Sequence, residues 1–242
     1  QKGNLYTCFN GNLLFHGCVP LNEDGSFRTI RFDGKEYRGR RWFDFCERKA
    51  REAWLHGTPQ ALDFMYFLWC GRLSPTSGRE FKTFERALIP DESTWKEPSD
   101  PYYRYIDDVS CCERILAEFG LDPKRGHIIN GHVPVKLKDG EKPMKAGGKL
   151  FIIDGGLSKA YQSTTGIAGY TLIYNSHHLA LAEHRPFDPK KESTPKVSVV
   201  EKVKSRVMVA DTDKGKELKG QIADLKELVA AYREGTIKER VE

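Results

Sequence analysis

The chain lacks the features that would place it in a membrane or export it from the cell. No part of it approaches the ~18 consecutive apolar residues that a membrane span requires, and 30% of its 242 residues are charged. The segment after Gln1 does not have the basic, apolar and small-residue order of a signal peptide. We therefore expect a soluble, cytoplasmic protein. Because the first residue is Gln1 and not methionine, we also expect a truncated chain.

Paired-cysteine motifs are missing as well. The six cysteines show no C-x-x-C spacing, and most of them, including the adjacent Cys111 and Cys112, lie in apolar sequence. Disulfide-bonded proteins are typical of oxidising compartments and of small secreted domains. The pattern therefore predicts reduced, buried thiols.

Clustered positive charge is also absent. The formal net charge is +5, but the 39 basic residues are spread along the chain among 34 acidic ones. Because a nucleic-acid-binding surface needs clustered basic residues, we expect no nucleic-acid partner. The mild positive balance is compatible with an anionic substrate such as a sugar phosphate, but ordinary surface charge is the simpler explanation.

The sequence contains no motif for covalent catalysis or nucleotide binding. Neither a Gly-x-Ser-x-Gly elbow nor a P-loop nor a dinucleotide fingerprint occurs. The glycine-rich run 154–169 follows a predicted strand and offers backbone amides, hydroxyls and a lysine, which are suited to hold phosphate oxygens. A flexible connection between strands explains its glycines about as well.

Hydrophobic patterning predicts a chain of mixed secondary structure. The turn dipeptide Asn10-Gly11 indicates a hairpin, and Thr58 and Pro59 indicate the start of a second helix in a helical hairpin over 40–69. A long connection with one short element should follow, and then a helix over 107–119. Further strands are predicted at 128–129, 133–137, 150–153, 170–174, 179–182 and 197–203.

The C-terminal segment predicts an amphipathic helix that begins near Asp211. Its apolar residues follow the i, i+4, i+7, i+11, i+14 spacing of one helix face, so we expect the helix to dock by that face. The residues are Leu218, Ile222, Leu225, Val229 and Tyr232.

Two histidines are the main candidates for chemistry. His16 and His132 each lie beside a glycine at the end of an apolar run, where a buried strand could deliver an imidazole to a metal. A single histidine in such a place is more often a structural residue. Two histidines also cannot close a catalytic metal site, which needs at least three protein ligands. The pattern therefore predicts part of a metal site.

Several segments resemble known proteins. Phe15-His16-Gly17-Cys18-Val19-Pro20 looks like the His-Gly-Gly-x-x-Pro loop of calcineurin-like metallophosphatases, and Asn130-Gly131-His132 resembles their final Gly-His ligand motif. More specifically, residues 127–136, 153–170 and 209–213 look like the class III fructose-1,6-bisphosphatases of bacteria. The resemblance extends over nearly the whole chain but covers only the C-terminal part of that family's proteins.

The resemblance implies a fold and an organisation. The chain would be α/β and would form the C-terminal half of a metallophosphatase-type β-sandwich flanked by helices. Residues 1–20 and 127–184 would form the β core, residues 21–126 a mainly helical insertion, and residues 185–242 an extended arm and a C-terminal amphipathic helix.

The resemblance also implies a binuclear site, typically of manganese, in which His16 and His132 bind the same metal. Tyr161, Lys136 and Arg72 would contact the phosphate or the sugar, since a bisphosphate needs cationic donors away from the metals. The family's other ligand motifs, Asp-x-His, Gly-Asp-x-x-Asp and Gly-Asn-His-Glu, do not occur in this sequence. No catalytic set is therefore complete in this chain.

The implied activity of the full protein is hydrolysis of fructose 1,6-bisphosphate to fructose 6-phosphate and phosphate in gluconeogenesis. The N-terminal part of the same protein would supply the missing ligands, and the isolated chain should be inactive. Assembly into a homo-oligomer is compatible with this reading.

Two alternatives stay open from the sequence. A related metallophosphatase could act on a phosphoprotein or on another phosphate ester and would share the metal loops. A non-catalytic module could instead bind an anionic effector through the glycine-rich run and use the amphipathic helix for assembly.

Overall fold

The structure is a computed structural model that describes residues 3–156, 158, 163–185, 190 and 194–238. The chain divides into two compact units, Gln1–Leu172 with Leu181–Ser198 and Ile173–Ala180 with Val199–Glu242. Helices and strands both occur, which confirms the predicted α/β class. The three-part division into core, insertion and arm stays a prediction.

The first two strands form a tight hairpin. Strand β1 (Tyr6–Phe9) pairs antiparallel with β2 (Asn12–Phe15), and Phe9 lies opposite Asn12. The connecting Asn10 and Gly11 have φ values of +49° and +79°, as a two-residue type I′ turn requires. The predicted hairpin is confirmed, and His16 directly follows its second strand.

A second hairpin lies in the region that was predicted to be mainly helical. Strands β3 (Ile30–Phe32) and β4 (Lys35–Tyr37) are antiparallel. Their turn residues Asp33 and Gly34 have φ values of +49° and +70°, which again match a type I′ turn.

The predicted helical hairpin is confirmed. Helix α1 (Gly39–His56) ends at Gly57, which has a φ of +59°, and helix α2 (Pro59–Cys70) begins after Thr58. The Thr58 hydroxyl accepts a hydrogen bond from the Ala61 backbone N–H at 3.4 Å and so caps α2. Both helices and β3 contribute to one buried cluster, Ile30, Trp42, Phe45, Cys46, Phe64 and Leu68.

Shorter helices follow. Helix α3 (Thr83–Leu88) and a 3₁₀ turn (Glu92–Trp95) precede α4 (Tyr102–Tyr105) and α5 (Val109–Glu118). The Asp108 carboxylate accepts from the Cys111 backbone N–H at 2.8 Å, which caps α5. The helix predicted over 107–119 is therefore confirmed.

The hairpin of β1 and β2 is part of a five-stranded mixed sheet. The sheet adds β5 (His127–Asn130), β6 (Met144–Lys145) and β7 (Leu150–Ile152) in the order β1-β2-β5-β7-β6. Strands β2, β5 and β7 are parallel, so their carboxyl ends meet at one edge of the sheet.

The C-terminal strands and helix also form as predicted. Strands β8 (Gly169–Tyr174), β9 (His178–His184) and β10 (Lys196–Lys202) make a three-stranded sheet in the order β10-β9-β8. Helix α6 (Asp213–Arg233) follows, and the Thr212 hydroxyl accepts from the Gly215 backbone N–H at 3.0 Å to cap it.

One prediction about the elements is wrong. Residues 133–137 are not a strand, because Pro134 has no N–H to donate and a 3₁₀ turn begins at Leu137. The apolar face of α6 is exposed in the structure, with Ile222, Leu225 and Val229 at 52%, 59% and 47%, and the docking of this face stays a prediction.

The cysteines are all free, and Cys18, Cys46, Cys111 and Cys112 are buried. The predicted burial is therefore confirmed for these four thiols, whereas Cys8 and Cys70 are partly exposed. Among the described helices, none is both long enough and apolar enough to cross a bilayer.

Candidate functional site

The parallel strands bring three polar side chains to one edge of the five-stranded sheet. His16 directly follows β2, His132 follows β5 after Gly131, and Asp154 follows β7 after Ile153. The loops are joined by backbone hydrogen bonds, from Gly131 N–H to the His16 carbonyl at 3.0 Å and from Val135 N–H to the Asp154 carbonyl at 2.9 Å. The carboxyl edge of this sheet is therefore the candidate site, and we call it the histidine edge.

The two predicted histidines lie in direct contact although they are 116 positions apart. His16 Nε2 and His132 Nδ1 are 3.2 Å apart, and the rings meet at 74° with centroids 5.1 Å apart. Two nitrogen ligands of one metal ion, each about 2.1 Å from it, lie roughly 3 Å apart when they subtend a right angle. The spacing of the two nitrogens fits two ligands of a single ion, and it equally fits a hydrogen bond between the two rings.

The backbone at His132 is unusual. His132 has a φ of +65°, and Val133 N–H donates to the Gly131 carbonyl at 2.8 Å. A three-residue turn closed by such a bond around a positive φ is a γ-turn of the rarer, strained kind. This turn points the imidazole toward His16 in place of continuing the strand.

His132 is held in its neutral form. Burial lowers its pKa to about 4, and electrostatic interactions with His16 and Arg79 act in the same direction, while Asp154 opposes them. A histidine must be neutral to donate a lone pair to a metal. At neutral pH His132 is therefore ready to act as a ligand.

Asp154 is a site residue that the sequence patterns did not single out. One carboxylate oxygen, Oδ1, accepts from the Gly156 backbone N–H at 2.8 Å, and a Cβ on Gly131 would lie 3.6 Å from the Cβ of Asp154. Asp154 comes just after a buried strand, as His16 and His132 do. That shared position in the sequence was the signal that could have identified it.

A loop from the helical region forms a wall beside His16. Cys18 N–H donates to the Pro75 carbonyl at 3.1 Å, and a Cβ on Gly17 would lie only 2.5 Å from the backbone of Thr76. Arg79 ends this loop, and its Nε is buried without a hydrogen-bond partner in the described part of the chain. The histidine edge therefore has a guanidinium nearby with no acidic partner among the described residues.

The other predicted contacts are less closely tied to the histidines. Arg72 has a buried Nε with no hydrogen-bond partner among the residues that the structure describes, and its charge acts on the buried Asp100. Lys136 is exposed, and its backbone N–H donates to Glu141 at 2.9 Å. Tyr161 lies outside the described residues. Their roles as phosphate or sugar contacts stay predictions.

The residues present fit one part of a metal site and not a whole one. Within the described ranges, no group of three or more His, Cys, Asp and Glu side chains could hold an ion. The two imidazoles have the spacing of ligands, but manganese favours oxygen donors such as carboxylates and water. Asp154 lies nearby, and any further oxygen donors would have to come from outside this group.

Comparison with known proteins gives consistent matches. The model of the family described as Firmicute fructose-1,6-bisphosphatase matches residues 1–234. The chain is 50% identical to the class 3 fructose-1,6-bisphosphatase of Clostridium tetani over 99% of this chain. It is 51% identical to that of Clostridium novyi over 99% of this chain, and 48% identical to that of Clostridium botulinum over its full length. The chain spans 38% of the length of each of these relatives. No solved structure matches it.

Proposed function

Because the chain belongs to the Firmicute fructose-1,6-bisphosphatase family, we propose that it is part of a metal-dependent phosphatase that hydrolyses fructose 1,6-bisphosphate to fructose 6-phosphate and phosphate. This reaction would serve gluconeogenesis in the cytoplasm. The observation that carries the proposal is the imidazole pair, with nitrogens 3.2 Å apart at the carboxyl ends of the parallel strands β2 and β5. The five-stranded sheet would be one layer of a metallophosphatase-type sandwich.

We propose that His16 and His132 hold one Mn²⁺ ion of a binuclear pair. When bound, such a pair supplies electrostatic stabilisation of the phosphate and a nucleophile derived from water. The other ligands would come from the part of the relatives that this chain does not cover, since the chain spans 38% of their length. The isolated chain should accordingly be inactive.

The chain's own residues have separable roles in this proposal. Burial keeps the His132 imidazole neutral, so it can donate a lone pair without first losing a proton. The γ-turn at His132 and the Gly131 to His16 hydrogen bond fix the direction of both rings. Pre-set ligand geometry of this kind removes part of the cost of binding an ion.

Arg79 is suited to contact a substrate phosphate. Its Nε is buried and has no hydrogen-bond partner among the described residues. Its positive charge lowers the pKa of His132. A guanidinium that lacks an acidic partner is stabilised by a phosphate, which accepts charge-assisted hydrogen bonds in a fixed geometry. Lys136, Arg72 and Tyr161 remain further candidates for the phosphate at the other end of the sugar.

The test is phosphate release by the protein that carries this chain at the full length of its relatives. We expect turnover of fructose 1,6-bisphosphate that depends on Mn²⁺ and is abolished by a chelator. His16→Gln and His132→Asn should each lower kcat/KM by about two orders of magnitude or more. His56→Gln, at the exposed end of α1, is the matched control and should keep full activity.

Three results would contradict the proposal. One is bisphosphatase turnover by the 242-residue chain alone, and another is full activity of both histidine variants. The third is a substrate panel in which a phosphoprotein or another phosphate ester is hydrolysed more efficiently than the sugar bisphosphate.

A further inference from the structure

Two loops carry the histidines: the first histidine loop begins with His16 after β2, and the second begins with Gly131 after β5. Asn130 is the last residue of β5 and lies between these two loops. It is 3% exposed, and its Nδ2 donates to the Gly17 carbonyl at 3.3 Å and to the Tyr102 hydroxyl at 3.0 Å. Gly17 is next to His16, and Asn130 itself is two residues before His132. A single carboxamide therefore links the backbone of both histidine loops.

Tyr102 comes from the helical region and is fully buried at 0% exposure. Its ring meets Phe15, the residue before His16, with centroids 5.9 Å apart at 64°. Burial raises the pKa of the Tyr102 hydroxyl well above its usual value, so the group stays neutral and can accept from Asn130. Tyr102 therefore contacts the last residue before His16 through its ring and the last residue of β5 through its hydroxyl.

Asp100 fixes Tyr102 in turn. One oxygen, Oδ1, of this buried carboxylate accepts from the Tyr102 backbone N–H at 2.9 Å and from the Leu21 backbone N–H at 3.0 Å. Leu21 lies at the far end of the loop that begins with His16. Tyr102, the first residue of α4, is thus linked to both ends of the first histidine loop. Asn130 links it to Gly17, and Asp100 links it to Leu21.

The geometry that these contacts support is strained. His132 has a positive φ, which a non-glycine residue adopts only when surrounding structure holds it there. The Gly131 to His16 hydrogen bond is one such restraint. The Asn130 carboxamide is a second, because it fixes the residue before Gly131 against the residue after His16.

We propose that Asn130 and Tyr102 are positioning residues that set the distance and angle between the His16 and His132 imidazoles. The helical region between β2 and β5 thereby acquires a definite role, which is to brace the histidine edge from its buried side. The meaning of this brace for metal binding rests on the proposed function, whereas the brace itself concerns only contacts within the chain.

The first test measures hydrogen exchange of single backbone amides by NMR on the 242-residue chain. In Tyr102→Phe, which removes one oxygen, and in Asn130→Ala, we expect protection of the Gly131 amide to fall by about tenfold or more. The Ile128 amide should keep its protection. Ile128 lies in β5, as Asn130 does, and its N–H donates to the Lys149 carbonyl at 2.8 Å. Tyr105→Phe is the matched control, because that tyrosine lies in the same helix and donates to the Glu23 carbonyl at 2.7 Å.

The positioning role is overturned if Gly131 exchange is unchanged in both variants. It is equally overturned if Gly131 and Ile128 lose protection to the same extent, since that result would indicate general destabilisation. Tyr105→Phe should leave the Gly131 amide within about twofold of wild type.

The second test adds Mn²⁺ to the protein that carries this chain at the full length of its relatives, and it follows paramagnetic broadening of the His16 and His132 ring signals. Wild type should show broadening of both, and Tyr102→Phe should need several-fold more Mn²⁺ for the same effect. Equal broadening in the variant would overturn the role in metal binding. No broadening of these rings in wild type would instead count against the proposed metal site, while the exchange measurement would still decide whether the brace exists.

Discussion

The histidine edge and helix α6 differ in how completely they are packed. In the three adjacent strands that lead to the edge, Leu13, Ile128 and Leu150 are each 0% exposed. On α6, Ile222 and Leu225 follow a helical spacing that is just as regular, yet they are 52% and 59% exposed. A regular apolar pattern therefore identifies which face is meant for burial, but it does not say what buries it.

The largest expected contrast is between two substitutions of large apolar residues by alanine, one in the sheet and one on α6. Ile128→Ala should lower the free energy of unfolding by about 3 kcal/mol, because it removes fully buried methyl groups and leaves a cavity. Leu225→Ala should cost less than about 0.5 kcal/mol, because the side chain is largely in water. Urea unfolding followed by circular dichroism gives both values. Similar costs at the two positions would show that the helix face is covered in solution.

A smaller effect is expected from two glycines of the histidine edge itself. Gly17→Ala places a Cβ 2.5 Å from the Thr76 backbone, and overpacking of this kind costs about 1–3 kcal/mol. Gly131→Ala is the matched control, because its nearest new neighbour is 3.6 Å away. Thermal unfolding of the two variants measures the difference. If Gly17→Ala is tolerated as well as Gly131→Ala, the loop at Thr76 is not rigid and the contrast with α6 weakens.

The smallest effect is a dependence of stability on pH. The pKa of His132 falls from 6.5 to about 4 on folding. Between these two pH values, His132 is protonated in the unfolded chain and neutral in the folded chain. The contribution of His132 to the free energy of unfolding is therefore complete above pH 6.5 and is lost as the pH falls toward 4. Because solvent reaches part of the imidazole, we expect a loss of about 1 kcal/mol.

The measurement is urea unfolding at several pH values, with His132→Asn as the comparison. Asparagine tolerates a positive φ better than most residues and does not titrate, so the variant should lose less stability between pH 6.5 and 4. Parallel curves for the two proteins would show that the His132 pKa is not shifted.

Local signals predicted much of the fold. Asn10-Gly11 and Thr58-Pro59 each specify a short piece of backbone, and the structure has a turn and a helix start at those places. The hairpin of β3 and β4 carries an equally local signal in Asp33-Gly34 and could have been predicted in the same way. The order of the strands in the sheets has no such local signal, because it depends on pairing between distant segments.

The apolar run at 133–137 shows where local patterns fail. Its side chains suit a strand, but the positive φ of His132 turns the chain away from β5, and Pro134 cannot donate to a neighbouring strand. The site therefore interrupts the sheet at the point where the pattern would have continued it.

In the candidate site, the two histidines could be predicted from the sequence, but the residues around them could not. His16 and His132 could be chosen because each ends an apolar run beside a glycine. Arg79 and Tyr102 could not, because only the packing of the helical region brings them to the histidine edge.

The γ-turn at His132 also has an evolutionary consequence. A positive φ is costly for histidine and free of strain for glycine, so the backbone at this position would gain stability from losing the imidazole. Most proteins are held only just above the stability that their function needs. Natural selection on folding alone would therefore erase this side chain, and a designer who optimised the chain for stability alone would do the same.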